Sequence, residues 1–199
     1  MRALRARGAL HPGEAGAGRL SREACLRVAY GLVSAGVVLT DQVTKRLVTA
    51  SMPLHSSVEI VPNLFHLTLV TNRGALFGLL HDLPDPYRSS LFTLVPLLAI
   101  WLIVSFQART TLQDTLAHAG LALILGGAIG NLIDRVRLGH VIDFLDVFIG
   151  EHHWPAFNAA DSSICVGVSL LILDLLIHGR RRRESPSART GSCDAPGPI

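Results

Sequence analysis

The stretch from Leu116 to Arg135 reads LAHAGLALILGGAIGNLIDR. From Leu116 to Ile133 it holds no Asp, Glu, Lys or Arg. A helix rises 1.5 Å per residue, so about 20 apolar residues cross roughly 30 Å of hydrocarbon. The run therefore predicts a membrane span over about 116–133. Gly126, Gly127 and Gly130 lie inside it, where small residues let helices approach closely. The apolar character then breaks at Asn131, Asp134 and Arg135, at the end of the span.

Three further apolar runs predict spans over about 24–45, 89–106 and 162–178. The third-to-last of the four, 89–106, contains Pro96, which membrane helices tolerate. Composition agrees: 49% of the 199 residues are hydrophobic, 17% are charged, and the mean hydropathy is +0.42. Soluble domains carry roughly 25% charged residues. Between the first two spans, residues 58–61 and 64–70 are rich in β-branched and aromatic side chains. They predict two strands joined at Pro62-Asn63, with a second turn at Asn72-Arg73-Gly74. Residues 135–158 read as a mixed loop, with His152-His153 an exposed pair within it.

Charge placement predicts orientation. Arg2, Arg5, Arg7, Arg19, Arg22 and Arg27 precede or open the first span, and Arg180 to Arg183 follow the fourth. Four spans put both termini on one side, which the positive-inside rule makes cytoplasmic. Residues 1–23 and 179–199 then read as disordered basic cytoplasmic segments flanking a membrane domain over 24–178. Segments 46–88 and 134–161 face outward. Val48-Thr49-Ala50 looks like a signal-peptide cleavage site but lies too far beyond the apolar run, so the first span is expected to stay uncleaved. No recognition motif accompanies the arginines, so a nucleic-acid partner is not expected. Cys25, Cys165 and Cys193 are odd in number and form no CxxC, which argues against a disulfide framework or a zinc site.

Acids at membrane depth are expensive and each needs a reason. Asp41 has Lys45 one helical turn later, and Asp134 has Arg135 beside it; both read as interfacial ion pairs. Asp143 is flanked by Ile142 and Phe144. Asp161 follows Asn158-Ala159-Ala160 at the start of the fourth span, where it also suits a helix first turn. Two close carboxylates share one proton, and such a pair can activate water while protonating a leaving group. Sequence separation alone does not bring Asp143 and Asp161 together. No HExxH, GxSxG, P-loop or GxGxxG is present, and no metal or cofactor is expected.

At these residues the chain resembles lipoprotein signal peptidase (signal peptidase II), a family of bacterial membrane aspartic peptidases. Five blocks carry the resemblance, in order: Asp41 to Lys45 (DQVTK), Asn72 to Gly78 (NRGALFG), Gly126 to Arg135 (GGAIGNLIDR), Gly139 to Phe144 (GHVIDF) and Phe157 to Ser162 (FNAADS). Leu76 departs from the family, which has a smaller residue there. The resemblance implies that Asp143 and Asp161 are catalytic. It implies support or substrate binding by Asp41, Lys45, Asn72, Gly74, Gly127, Gly130, Asn131, Asp134, Arg135, Asn158 and Ala160. The three asparagines would bind a peptide backbone without adding charge, and Arg135 would pair with Asp134. The implied fold is four transmembrane helices, a small extracytoplasmic sheet cradling substrate and a mobile lid near 75–80. The implied substrate is a prolipoprotein bearing a diacylglyceryl-modified cysteine, cut before that cysteine by a monomer among membrane lipids. A proton-coupled carrier is the competing reading. Its acids should cross the bilayer, whereas here only Asp174 lies towards the other side.

Overall fold

The computed structural model describes residues 12–74, 85–109, 115–150 and 152–184. Four helices carry the fold: α1 (Pro12–Ser51), α2 (Asp85–Arg109), α3 (Thr115–Leu138) and α4 (Ala159–Glu184). Each contains a stretch long and apolar enough to cross a membrane. The packing is inside out. Leu98, Trp101 and Leu175 are 56%, 63% and 69% exposed, whereas the largest fully buried side chains are Lys45, His118, Asn158, Asp41 and Asp143. Water would not leave large apolar side chains outside and charges inside; lipid around the bundle does.

Helix α3 is the centre and packs against each of the other three. Its glycines make this possible. A Cβ on Gly126 would stand 2.7 Å from Val37 Cβ on α1, and one on Gly120 would stand 2.7 Å from the Gly167 carbonyl on α4. A Cβ on Gly127 would collide with the carbonyl oxygen of Ala160. The small residues of the quoted stretch therefore set how near α1 and α4 come.

The connections from α1 to α2 and from α3 to α4 form one antiparallel sheet in the order β1-β2-β3-β4: Ser57–Val61, Phe65–Asn72, Val141–Ile149 and His152–His153. The turn from β1 to β2 pairs Pro62 with a left-handed Asn63 (φ 58°), closed by the Leu64 N–H on the Val61 carbonyl at 3.2 Å. That combination suits a type II turn. Helix α3 ends in the usual way, with Gly139 at φ 76° donating to the Arg135 carbonyl at 3.0 Å.

Four expectations are corrected. Residues 141–149 are a strand, not loop: Asp143 and Asp146 interrupted a near-continuous apolar run and made it look polar. His152 and His153 pair with Ile149 and Phe148 as β4. Helix α1 begins at Pro12, so 12–23 is helical; Pro at the first helical position and Glu14 in the first turn are start signals. Helix α1 also runs on past residue 45 to Ser51, and α4 past 178 to Glu184, so Arg180 to Arg183 continue a helix. The lid expected near 75–80, Leu76, and the terminal stretches 1–11 and 185–199 lie outside the described residues.

Candidate active site

Strand β3 lies between two partners, and this places Asp143. On one edge β2 pairs with it, Val70 opposite Asp143 and Asn72 opposite Val141. Asn72 is thus the diagonal neighbour of Asp143, within reach of a side-chain bond, and its Nδ2 donates to Asp143 Oδ2 at 3.0 Å. On the other edge Phe157 exchanges hydrogen bonds with Leu145 at 2.8 and 3.0 Å. That pins Asn158, whose Nδ2 donates to Asp143 Oδ1 at 2.7 Å. Both carboxylate oxygens are therefore held by neutral amides.

Asp161 is placed by the start of α4. Asn158 is the residue before the helix, and its Oδ1 accepts the Asp161 N–H at 3.0 Å. Asp161 Oδ2 in turn accepts the Asn158 N–H at 3.3 Å. This reciprocal pair is a capping box. Asn131 of α3 donates to the other oxygen, Oδ1, at 2.8 Å. The first-turn reading of Asp161 and the catalytic reading thus describe one arrangement. Asn158, fully buried, bonds both aspartates: its side chain to Asp143 and its backbone to Asp161.

Behind them lies a buried ionic cluster. Lys45 Nζ is 2.8 Å from Asp41 Oδ2, 2.7 Å from Asp134 Oδ2 and 3.0 Å from Asn131 Oδ1. Three donors meet three acceptors, as a buried ammonium requires. Asp41 Oδ1 also accepts the Ala160 N–H at 3.0 Å, and a Cβ on Gly130 would stand 2.7 Å from Asp41 Oδ2. Gly74, at φ 96°, donates to Asn72 Oδ1 at 2.8 Å and leaves room for the Phe92 ring.

Residues 33–177 match the family model for signal peptidase (SPase) II. The chain belongs to the signal peptidase II family. Among its relatives, the lipoprotein signal peptidase of Geobacter sulfurreducens is 47% identical over 77% of this chain and 94% of the relative. That of Syntrophus aciditrophicus is 45% identical over 73% and 91%. Two solved structures described as bacterial membrane enzymes align at TM-scores of 0.67 and 0.65, with 30% and 32% identity. They cover 84% and 74% of this chain, and it covers 94% and 92% of them.

In this signal peptidase II, one sequence-based pairing changes. Asn72, Asn131 and Asn158 direct amide N–H groups at Asp143 and Asp161. Arg135 does not pair with Asp134, because neighbouring residues on a helix point about 100° apart. Asp134 turns to Lys45 and to Gln42 Nε2 at 2.9 Å, while the Arg135 guanidinium sits over the Phe92 ring at 5.1 Å. Gln42 is the residue that sequence reasoning missed. It also meets the Gly130 carbonyl at 3.3 Å, tying α1 to α3. Its position beside Asp41 in the first block was the available signal.

Burial pushes the Asp143 carboxyl up to about 6, aided by the charge of Asp161 and opposed by Asn72, Asn158 and Lys45. A carboxyl raised in the folded state stabilises the fold while protonated, and that contribution is lost as pH rises through the folded value. Stability should therefore fall from about pH 4 through about pH 6, by roughly 3 kcal/mol attributable to this group. Asp143→Asn removes the titration. Thermal unfolding of both proteins across this range should show the slope shrinking in the variant; equal slopes would refute the assignment.

Proposed function

We propose that this signal peptidase II is a membrane aspartic endopeptidase that removes the signal peptide from diacylglyceryl-modified prolipoproteins, cutting just before the lipidated cysteine. Its relatives are named lipoprotein signal peptidases, and one geometric observation carries the chemistry. Asn158 bonds Asp143 and Asp161 at once, so two carboxylates share one small polar site. Such a pair titrates together, and between its two ionisations it holds one shared proton.

In the proposed reaction the ionised carboxylate takes a proton from water, and the hydroxide oxygen bonds to the scissile carbonyl carbon. The protonated carboxylate then gives its proton to the amide nitrogen as the C–N bond breaks. The amides of Asn72, Asn131 and Asn158 hold both carboxylates in place, so little reorganisation accompanies the step. Arg135, whose buried Nε has no hydrogen-bond partner, is close enough to feel both aspartates and is suited to a substrate carbonyl. One chain supplies both aspartates and every amide that orients them, so we assign activity to the monomer.

The orientation follows the arginines: both termini cytoplasmic, four spans in the inner membrane, and the two aspartates near the outer leaflet. There the substrate's own diacylglyceryl group anchors the scissile bond at the depth of the site. Purified protein in lipid nanodiscs should cut a diacylglyceryl prolipoprotein peptide before its cysteine, and at least about a hundredfold faster than the unmodified peptide. Chelators should leave the rate unchanged. Equal cleavage of both peptides, or loss of activity with a chelator, would overturn the reading.

A further inference from the structure

Helices α1 and α3 and the start of β3 enclose a cavity of about 360 Å³ that the proposed reaction does not use. Two helical stripes face it: Lys45, Arg46 and Thr49 on α1, and Asp134 with Arg137 on α3. Lys45 and Asp134 are buried and paired with each other, so they form a satisfied floor. Arg46 and Arg137 are exposed, and among the described residues neither has a hydrogen bond or ion pair. Both stand near helix ends, Arg137 one residue and Arg46 five residues before the last, or about 8 Å along the axis for the latter.

We propose that this cavity binds the phosphodiester of an anionic outer-leaflet phospholipid, held by Arg46 and Arg137. Three observations favour a phosphate. Guanidinium groups match phosphate oxygens bidentately. Of the charged groups lining the cavity, Lys45 and Asp134 offset each other, and Arg46 and Arg137 leave a positive surplus opposite in sign to a phosphodiester. Leu138 and Ile142 line the cavity with apolar surface suited to the glycerol and first methylenes of a phospholipid. The floor links the cavity to the aspartates, from Lys45 to Asn131 at 3.0 Å and on to Asp161 at 2.8 Å. A lipid clamped across α1 and α3 braces that chain.

The outer-leaflet source rests on the orientation given under Proposed function; the phosphate site does not. The test is native mass spectrometry of the whole protein released from nanodiscs of phosphatidylglycerol in phosphatidylcholine. The wild type should retain one phosphatidylglycerol. Arg46→Gln with Arg137→Gln should lower that retention about tenfold, equivalent to roughly 1.4 kcal/mol, while Asp143→Asn keeps it. Both arginines are exposed and have no partner among the described residues, so the fold should tolerate their replacement. Equal retention by the double variant, or equal retention of phosphatidylcholine, would overturn the site. Displacement of the lipid by millimolar inorganic phosphate would overturn the lipid as its ligand. Leu54→Cys, exposed beyond the end of α1, should react with a membrane-impermeant thiol reagent from outside when Cys25, Cys165 and Cys193 are replaced by Ser. Reaction only from the cytoplasm would overturn the orientation while leaving the lipid count as it stands.

Discussion

Asp143→Asn and Asp161→Asn should each lower prolipoprotein cleavage roughly a thousandfold or more, the scale of losing a positioned acid or base. Neither change should unfold the protein. Asn keeps the shape of the side chain, and at Asp143 it removes a charge that burial disfavours. The hydrogen bonds limit the gain. Asp143 accepts from Asn72 and Asn158, so an amide there turns an NH2 towards one of two donors. At Asp161 the new amide meets Asn131 Nδ2, and Asn131 cannot easily flip because Lys45 and Asn158 hold its Oδ1 at 3.0 and 3.1 Å. One lost bond of this kind costs about 1 kcal/mol. Initial rates on the lipidated peptide, beside thermal unfolding of the same preparations, separate the two effects. A folded variant that cleaves within tenfold of the wild type would remove that aspartate from the proposed mechanism.

Much of this was legible in the chain because a bilayer enforces simple rules. Long uncharged runs mark spans, and any acid outside that pattern stands out. Asp143 and Asp161 were singled out on those grounds, and only the family resemblance paired them. The structure adds the reason they meet, which no local pattern carries. Asn158 belongs to two elements at once: the edge of β3 through Phe157 and the start of α4 through its cap. Strand β3 was missed because its two aspartates broke a near-continuous apolar run, and its partner β2 lies some seventy residues earlier in the chain. Side-chain direction was equally hidden. Asp134-Arg135 looked like a pair by adjacency, but helix geometry sends the acid to Lys45 and the guanidinium to Phe92. The Asp41–Lys45 pair was read correctly from its one-turn spacing. Its burial was not, because nothing in that spacing announces the third partner, Asn131, or the fourth, Asp134.

Lys45→Met should be among the most damaging single changes to stability. The side chain is 2% exposed, and its ammonium is the only cation shown bonding the Asp41 and Asp134 carboxylates among the described residues. Removing one partner of a buried ionic cluster typically costs roughly 3–5 kcal/mol, because the remaining charges stay buried without compensation. The carboxylates keep some support from Gln42, the Ala160 N–H and the Ile142 N–H, which should hold the loss within that range. Asp134→Asn in the Lys45→Met background should restore part of the stability, since it removes one stranded charge. A purely steric role for Lys45 predicts no such rescue. The chemistry supplies an independent readout. Lys45 holds the Asp143 carboxyl down, so its loss should raise that group further above about 6. The acid limb of the cleavage profile should then move to higher pH, because the carboxylate form is reached later as pH rises. Lys45→Met protein with an unchanged unfolding temperature and an unmoved acid limb would show that the cluster neither braces the helices nor tunes the aspartates.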